Sequence, residues 1–247
     1  RFRECYQCYV DSIGSDSLVV EAEQIAAVSE ILERLGFRDY RILLNHRLLL
    51  SGILEQCGVD EARHAEALVA IDKVGKIGKS KVLEELTARS FREPVVESIA
   101  HFLTNFYERP PVPETGVDID GNKEINETNL LNDALLKGLS KFLNENKRGK
   151  VAIEEIEFIL RLFGDTDTIG HVDVFPSLAR GLSYYTGAIF EVGLREGDFD
   201  VSLGGGGRYD GLIGMFGKEE IPACGFSLGL ERILVVMEER GMFPEDL

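Results

Sequence analysis

The chain has 247 residues, of which 44% are hydrophobic and 28% are charged. Asp and Glu outnumber Lys and Arg by 43 to 27, which gives a formal net charge of −16. This composition excludes a disordered chain, a membrane span of about 18 apolar residues and a broad basic surface for nucleic acid. The first residue is Arg1 rather than Met and no signal peptide is recognisable, so we expect a soluble, cytoplasmic protein that begins inside a domain.

The first 57 residues alternate between strand and helix patterns. The predicted elements are strands over 1–14 and 40–44 and helices over 18–35 and 46–57. Within the first strand, Cys5 and Cys8 form a CxxC pair. Residues three apart on a strand point to opposite faces, and a structural zinc site needs a second ligand pair that the sequence lacks. We therefore predict no metal site here.

Helical patterns dominate the next part of the chain, over 61–74, 79–91, 94–107 and 127–146. A Pro-rich stretch at 109–116 interrupts them, because no helix crosses such a run. Residues 58–150 carry 14 basic and 16 acidic residues, a net charge of −2, so the remainder carries −14. These patterns predict an all-helical insertion at 58–150 within a core formed by 1–57 and 151–247.

Two features of the insertion could bind ions. Four lysines lie within nine residues of each other: Lys73, Lys76, Lys79 and Lys81. They form either a solvated helix end or a patch that contacts phosphates, and both interpretations stay open. Residues 118–122 resemble a calcium loop, but the first ligand position would fall on Gly116, so we predict no calcium site.

Strand patterns dominate after residue 150. We predict helices over 151–163 and 229–240 and strands over 172–175, 183–194, 199–203 and 223–228. Consecutive strands with few helices between them form an antiparallel sheet. The fold class predicted for the whole chain is therefore α+β.

The first cluster of candidate site residues lies on the N-terminal strand. One face of this strand carries Arg1, Arg3, Cys5, Gln7, Tyr9 and Asp11. Two arginines, an amide and a carboxylate suit a pocket for a ligand with both an anionic and a cationic group. A solvent-facing strand surface is the alternative.

Two further clusters lie near the C-terminus. Arg180 and Gly181 precede Tyr184 and Tyr185, and an Arg beside a Gly can hold a phosphate with little steric obstruction. An ordinary surface arginine is the alternative. We expect the adjacent tyrosines to point to opposite strand faces. The run 204–207 is four glycines, which permit either close approach of a ligand or a tight turn.

Together these segments resemble one family, the histidyl-tRNA synthetases of class II. Residues 180–191 are similar to the histidine-specific signature RGLDYYTG, and 206–212 to the second signature. Residues 225–232 resemble motif 3, and residues 1–14 the second half of motif 2. The resemblance covers the whole chain, with the helical insertion in its usual place.

The resemblance implies a class II core and a two-step reaction. Histidine and ATP form histidyl-adenylate, and the histidyl group then moves to the 3′ end of tRNA(His). The implied catalytic residue is Arg180, on the α-phosphate. The implied histidine-binding residues are Gln7, Asp11, Tyr184, Tyr185 and Tyr209. The implied ATP-binding residues are Arg1, Arg3 and Arg232. Magnesium would bridge phosphates, the intact protein would be a homodimer, and no membrane would be involved.

Some positions depart from the family pattern. Cys5 stands where a Phe stacks on adenine, Ser183 where the signature has Asp, and Tyr9 where Asp is common. Motif 1, the first half of motif 2 and an anticodon-binding domain are not recognised, so we expect an interior piece that is inactive alone. The alternative function is a non-catalytic relative, such as the regulatory subunit of ATP phosphoribosyltransferase or a tRNA-sensing domain.

Overall fold

A single six-stranded sheet organises the fold. The computed structural model describes residues 6–107, 127–164, 166–179, 184–194, 202–217 and 219–243. Its strands are β1 (Gln7–Ile13), β2 (Tyr40–His46), β3 (Val172–Val174), β4 (Ala188–Leu194), β5 (Gly204–Arg208) and β6 (Ala223–Gly229). They are ordered β1-β6-β5-β4-β2-β3, and every neighbouring pair is antiparallel except β2 and β3. The predicted α+β class with an antiparallel sheet flanked by helices is confirmed.

Helices make up most of the remaining described chain. They are α1 (Val19–Arg34), α2 (Arg47–Gln56), α3 (His64–Ile71), α4 (Val74–Ile77), α5 (Lys79–Ala88), α6 (Glu93–Phe106), α7 (Glu127–Leu143), α8 (Lys147–Phe163) and α9 (Leu230–Glu239). The start of α2 is fixed locally, because the imidazole Nδ1 of His46 accepts a hydrogen bond from the N–H of Leu48 at 3.1 Å. This cap places Arg47 directly at the end of β2.

The sheet has two different faces, which we call the helix face and the cavity face. Residues paired across neighbouring strands share a face. The helix face carries Ser12, Cys224, Arg208, Ala188 and His46 as one row across five strands, and α1 and α8 pack on it. The next row, Asp11, Gly225, Gly207, Ile189 and Asn45, lies on the cavity face.

Strand β5 corrects the predicted strand bounds and the tight turn. The sequence predicted a strand over 199–203 and either a tight turn or close approach of a ligand at the glycines, but the glycines themselves form a central strand, Gly204–Arg208, which rules out the turn. Residues 199–201 lie outside the described residues, and Ser202 and Leu203 are not in a strand. Glycine disfavours strands on its own, so the pairing with β4 and β6 must overcome its propensity. A Cβ on Gly206 would lie 2.1 Å from the carbonyl oxygen of Gly225, so only glycine fits there.

The helical region contacts the core at several points. Asn132 on α7 donates to the carbonyl of Val172 at 2.8 Å and accepts from the N–H of Val174 at 2.9 Å, which ties α7 to β3. The division of the chain at 57/58 and 150/151 stays a prediction. Across the described ranges, no helix combines the length and apolarity needed to cross a bilayer.

Candidate active site

A large cavity lies on the cavity face of the sheet. Its volume is about 1090 Å³, which is large enough for a nucleotide together with an amino acid. The floor is formed by β1, β6, β5 and β4, and α3 and the first turns of α2 and α9 form the walls. Gly205 and Gly229 leave part of the floor without side chains, so a flat ligand can lie against the backbone there.

One end of this face carries a carboxylate surrounded by phenols. The hydroxyl of Tyr209 donates a hydrogen bond to Oδ1 of Asp11. The ring of Tyr184 lies 6.0 Å from that of Tyr209 and 4.8 Å from that of Tyr185. Burial raises the pKa of both Tyr185 and Tyr209, so these phenols stay protonated donors at neutral pH. The Asp11 carboxylate suits this end to a ligand that carries N–H groups or a positive charge, and the phenols can donate to an acceptor on the same ligand.

Gly225 makes room for this carboxylate. It pairs with Asp11, and a Cβ on Gly225 would lie 2.1 Å from Oδ1 of Asp11. Any side chain at this position would therefore displace the carboxylate.

The other end of the cavity carries an amide and an arginine. Gln7 pairs with Gly229, and both line the cavity. Arg232, in the first turn of α9, donates from Nη1 to the carbonyl of Ser202 at 2.6 Å and remains exposed to the cavity. Asp11 and Gln7 lie four residues apart on one face of β1, about 13 Å, so this face of the sheet has two chemically different ends.

A buried ion pair attaches the end of β5, just before Tyr209, to helix α1. Arg208 donates from Nε and Nη2 to the two carboxylate oxygens of Glu21 at 2.5 and 2.7 Å. It also donates to the carbonyls of Ser15 and Ser17 at 3.1 Å. The bidentate carboxylate raises the pKa of Arg208, and the side chain of Glu21 is fully buried. The guanidinium thus joins β5 to α1 and to the chain that follows Asp11.

Sequence reasoning did not assign roles to Glu21 and Arg208. Arg208 immediately follows the glycine run, which was a visible signal. Glu21 gave none, because an acidic residue in the first turn of a helix usually stabilises the helix N-terminus while facing solvent.

The structure places six of the nine predicted site residues. Gln7, Asp11, Tyr184, Tyr185, Tyr209 and Arg232 are described, whereas Arg1, Arg3 and Arg180 lie outside the described residues. Asp11 and the three tyrosines form one cluster, and Gln7 lies with Arg232 at the other end. The prediction that Tyr184 and Tyr185 lie on a strand is wrong, because β4 begins at Ala188 and both rings point into the cluster. Of the two, Tyr185 lines the cavity.

At least two of the four insertion lysines already have side-chain partners within the protein. Nζ of Lys73 lies 2.7 Å from Oε1 of Glu85, and Nζ of Lys79 donates to the hydroxyl of Thr104 at 3.1 Å. Lys81 is exposed. The choice between a solvated helix end and a phosphate-contacting patch therefore stays open.

An antiparallel sheet with a glycine floor, a carboxylate end and an arginine end defines a ligand-binding core of the class II synthetase kind. The model of the family described as "Histidyl-tRNA synthetase" matches residues 1–233 of this chain. The chain belongs to this family.

Individual relatives agree with the family match. Histidine–tRNA ligase of Porphyromonas gingivalis is 41% identical over 247 residues, which is 100% of this chain and 48% of that protein. The cytoplasmic histidine–tRNA ligase of Dictyostelium discoideum is 37% identical, covering 97% of this chain and 46% of its own length. The chain therefore spans about half the length of the curated relatives it matches.

Solved structures of histidyl-tRNA synthetases and related proteins share the fold of this chain. A crystal structure of histidyl-tRNA synthetase from Nostoc sp. PCC 7120 superposes with a TM-score of 0.77 at 28% identity, covering 98% of this chain and 52% of that one. A Bacillus halodurans structure described as an ATP phosphoribosyltransferase regulatory subunit/histidyl-tRNA synthetase has a TM-score of 0.70 at 19% identity, covering 92% of this chain and 52% of that one. The second likeness shows the fold alone, so the regulatory alternative is not favoured.

Proposed function

We propose that the protein is a histidine–tRNA ligase that uses ATP. The histidine carboxylate attacks the α-phosphate, histidyl-adenylate forms and pyrophosphate leaves. A hydroxyl of the 3′-terminal ribose of tRNA(His) then attacks the histidyl carbonyl, and AMP leaves. The observation that carries this proposal is the pair of chemically different ends on one face of the sheet, with Asp11 and Tyr209 at one end and Gln7 and Arg232, which line the cavity, at the other.

The described side chains suit the two parts of histidyl-adenylate. Asp11 keeps one carboxylate oxygen beyond its bond to Tyr209, and this oxygen would accept a hydrogen bond from the imidazole. Tyr184 and Tyr185 enclose that end with apolar rings and phenol donors. Gln7 would bind the α-amino group through its amide oxygen. This arrangement selects an amino acid with a nitrogen heterocycle, because an aliphatic side chain would offer no N–H group to the second carboxylate oxygen of Asp11.

Positive charge would stabilise the phosphates. By family position, Arg180 would contact the α-phosphate, where a fixed guanidinium stabilises the charge that develops in the transition state. Arg1, Arg3 and Arg232 would contact ATP. Each arginine offers paired N–H donors that match phosphate oxygens.

Magnesium, dimerisation and location are part of the same proposal. Magnesium in nucleotide sites is held mainly by phosphates and by one or two carboxylates, and Glu231 supplies a carboxylate on the cavity wall. When bound, the metal would neutralise phosphate charge. We also propose that the intact protein is a homodimer that works in the cytoplasm.

The test is ATP–pyrophosphate exchange by the intact protein. We expect exchange that depends on histidine, and we expect Asp11→Asn to raise the KM for histidine roughly ten- to hundred-fold, because it removes a charged hydrogen-bond acceptor. The control is Asp133→Asn, which makes the same change at an exposed carboxylate on α7 that pairs with Lys137. It should leave exchange unchanged. Exchange that needs no histidine, or an Asp11→Asn variant with normal KM, would contradict the proposal, and a protein without exchange would restore the regulatory alternative.

A further inference from the structure

Arg47 differs from other partly buried arginines of the described chain. Arg63, Arg89 and Arg240 lie 2.8, 2.6 and 2.7 Å from a carboxylate oxygen. Burial lowers the pKa of Arg47, and no acidic group contributes to that change. Within the described ranges, its guanidinium has no hydrogen-bond or ion-pair partner. A partly desolvated cation without a counter-ion is unfavourable, so this position is suited to an anion from outside the chain.

The side chain of Arg47 lines the same cavity as the candidate active site. Arg47 is the first residue of α2, directly after β2, whereas Arg232 lies in the first turn of α9, directly after β6. Strands β5 and β4 separate β6 from β2, a lateral distance of about 14 Å. Because β6 and β2 run in opposite directions, the two arginines lie at opposite corners. An anion held at Arg232 therefore leaves the Arg47 corner for a second anionic group.

Helix α3 borders the cavity with apolar surface. Ala65 and Val69 line the cavity, and Val69 is 52% exposed although it is apolar. Lys73 lies one turn further along and adds positive charge, partly neutralised by Glu85. Apolar surface together with a cation suits single-stranded nucleic acid, whose bases pack on the first and whose phosphates pair with the second.

We propose that Arg47 binds a backbone phosphate at the single-stranded 3′ end of the RNA substrate, with the adjacent nucleotide packed against α3. This inference rests on the proposed function and assigns the two cationic corners to the two anionic substrates. Arg232 serves the nucleotide, and Arg47 serves the RNA.

The test compares the two steps of the reaction in the intact protein carrying Arg47→Gln. ATP–pyrophosphate exchange, which needs no RNA, should keep its KM values for ATP and histidine. The KM for tRNA(His) in charging should rise roughly ten-fold or more, because a charge-assisted hydrogen bond is lost. The dependence of log affinity on log salt concentration should become shallower by about 0.7, the value for one phosphate of a single strand. Arg47→Lys should keep that slope and lose less affinity.

Direct binding separates this inference from the proposed function. The probe is an RNA hairpin that ends in single-stranded CCA, and fluorescence anisotropy measures its affinity for each variant. The matched control is Arg92→Gln, which removes the same charge from an exposed residue just before α6 that does not line the cavity. It should bind the hairpin as the unchanged protein does.

Each outcome decides a different question. If the protein shows no exchange but Arg47→Gln still weakens hairpin binding, the proposed function is wrong and the phosphate contact stands. Equal charging and hairpin binding by the Arg47→Gln variant would overturn the contact. A rise in the KM for ATP or histidine during exchange would also overturn it, since the anion would then belong to another substrate.

Discussion

The two faces of the sheet differ in how their buried charges are paired. On the helix face, charged side chains are buried and paired: Arg208 with Glu21, and His46 with Glu155 at 2.8 Å. On the cavity face, the hydroxyl oxygen of Ser227 is buried and has no hydrogen-bond partner within the described residues. The guanidinium of Arg47, on the wall above this face, is unpaired in the same sense.

This difference separates groups that hold the fold from groups that await a ligand. A buried polar group needs a partner, and within one protein that partner is usually another side chain or the backbone. Where a buried polar group beside a cavity lacks such a partner, a bound ligand can supply it. Changes on the helix face should therefore cost stability, whereas changes on the cavity face should cost affinity.

The largest effect on stability is expected from Glu21→Gln. This substitution removes the buried carboxylate that binds Arg208 through two hydrogen bonds, and it leaves this 7% exposed guanidinium with only the more exposed Asp210 as counter-ion. We expect the free energy of unfolding to fall by about 3 kcal/mol, measured by urea denaturation, because Asp210 at 3.2 Å compensates only part of the charge. Glu30→Gln on the same helix breaks an exposed pair with Arg34 and should change stability by less than about 0.5 kcal/mol. Similar losses in both variants would show that the buried pair of Glu21 and Arg208 does not hold the helix face together.

Much of the fold was predictable because periodic burial leaves a strong pattern. The helices predicted over 94–107 and 229–240 are observed at Glu93–Phe106 and Leu230–Glu239, since apolar residues at helical spacing mark their buried sides. Strand β5 was not predicted, because glycine carries no side-chain pattern. Its strand conformation depends on β4 and β6, which lie apart from it in the sequence.

The candidate site was predictable in its residue types but not in its geometry. The alternation of β1 correctly placed Gln7 and Asp11 on one face. The contact between Tyr209 and Asp11 joins residues 198 positions apart, so only the sheet order reveals it. Arg47 gave no signal, because an arginine at a helix start is ordinary, and only the structure shows that no acidic residue of the described ranges pairs with it.

A smaller effect, on affinity alone, is expected from Ser227→Ala. Ser227 lines the cavity between the two ends of the site, and its hydroxyl is buried without a partner in the described chain. If a substrate completes that hydrogen bond, the KM for histidine or ATP in the exchange assay should rise roughly two- to ten-fold. The free energy of unfolding should stay the same or increase, since the unliganded protein loses an unsatisfied group.

The matched control for this substitution is Ser177→Ala. Ser177 also has a buried hydroxyl without a partner among the described residues, but it does not line the cavity. Its removal should leave both KM values unchanged. A loss of stability in the Ser227→Ala variant, or equal kinetics for both variants, would show that unpaired groups do not mark the ligand side of the sheet.

The smallest effect is expected from the pair of His46 and Glu155 on the helix face. Nδ1 of His46 accepts from Leu48, so Nε2 carries the proton and donates to Glu155. This hydrogen bond is the main cause that lowers the pKa of Glu155 below 4.5, partly offset by burial. A carboxyl group with a lowered pKa in the folded state stabilises the protein above its unfolded pKa and loses that contribution as pH falls through the folded value. The stability from this pair should therefore disappear below pH 4.5.

Urea denaturation between pH 7 and pH 3 measures this contribution. Glu155→Gln keeps a hydrogen-bond acceptor for His46 but cannot titrate, so its stability should fall less steeply over the acid part of this range. The side chain of Glu155 is 33% exposed, and solvent screens its charge, so the difference should be much smaller than that for Glu21→Gln. If the free energy of unfolding falls equally steeply with pH in the variant and in the unchanged protein, the hydrogen bond between His46 and Glu155 adds no charge-dependent stability. The helix face would then owe its charge-dependent stability to Glu21 and Arg208.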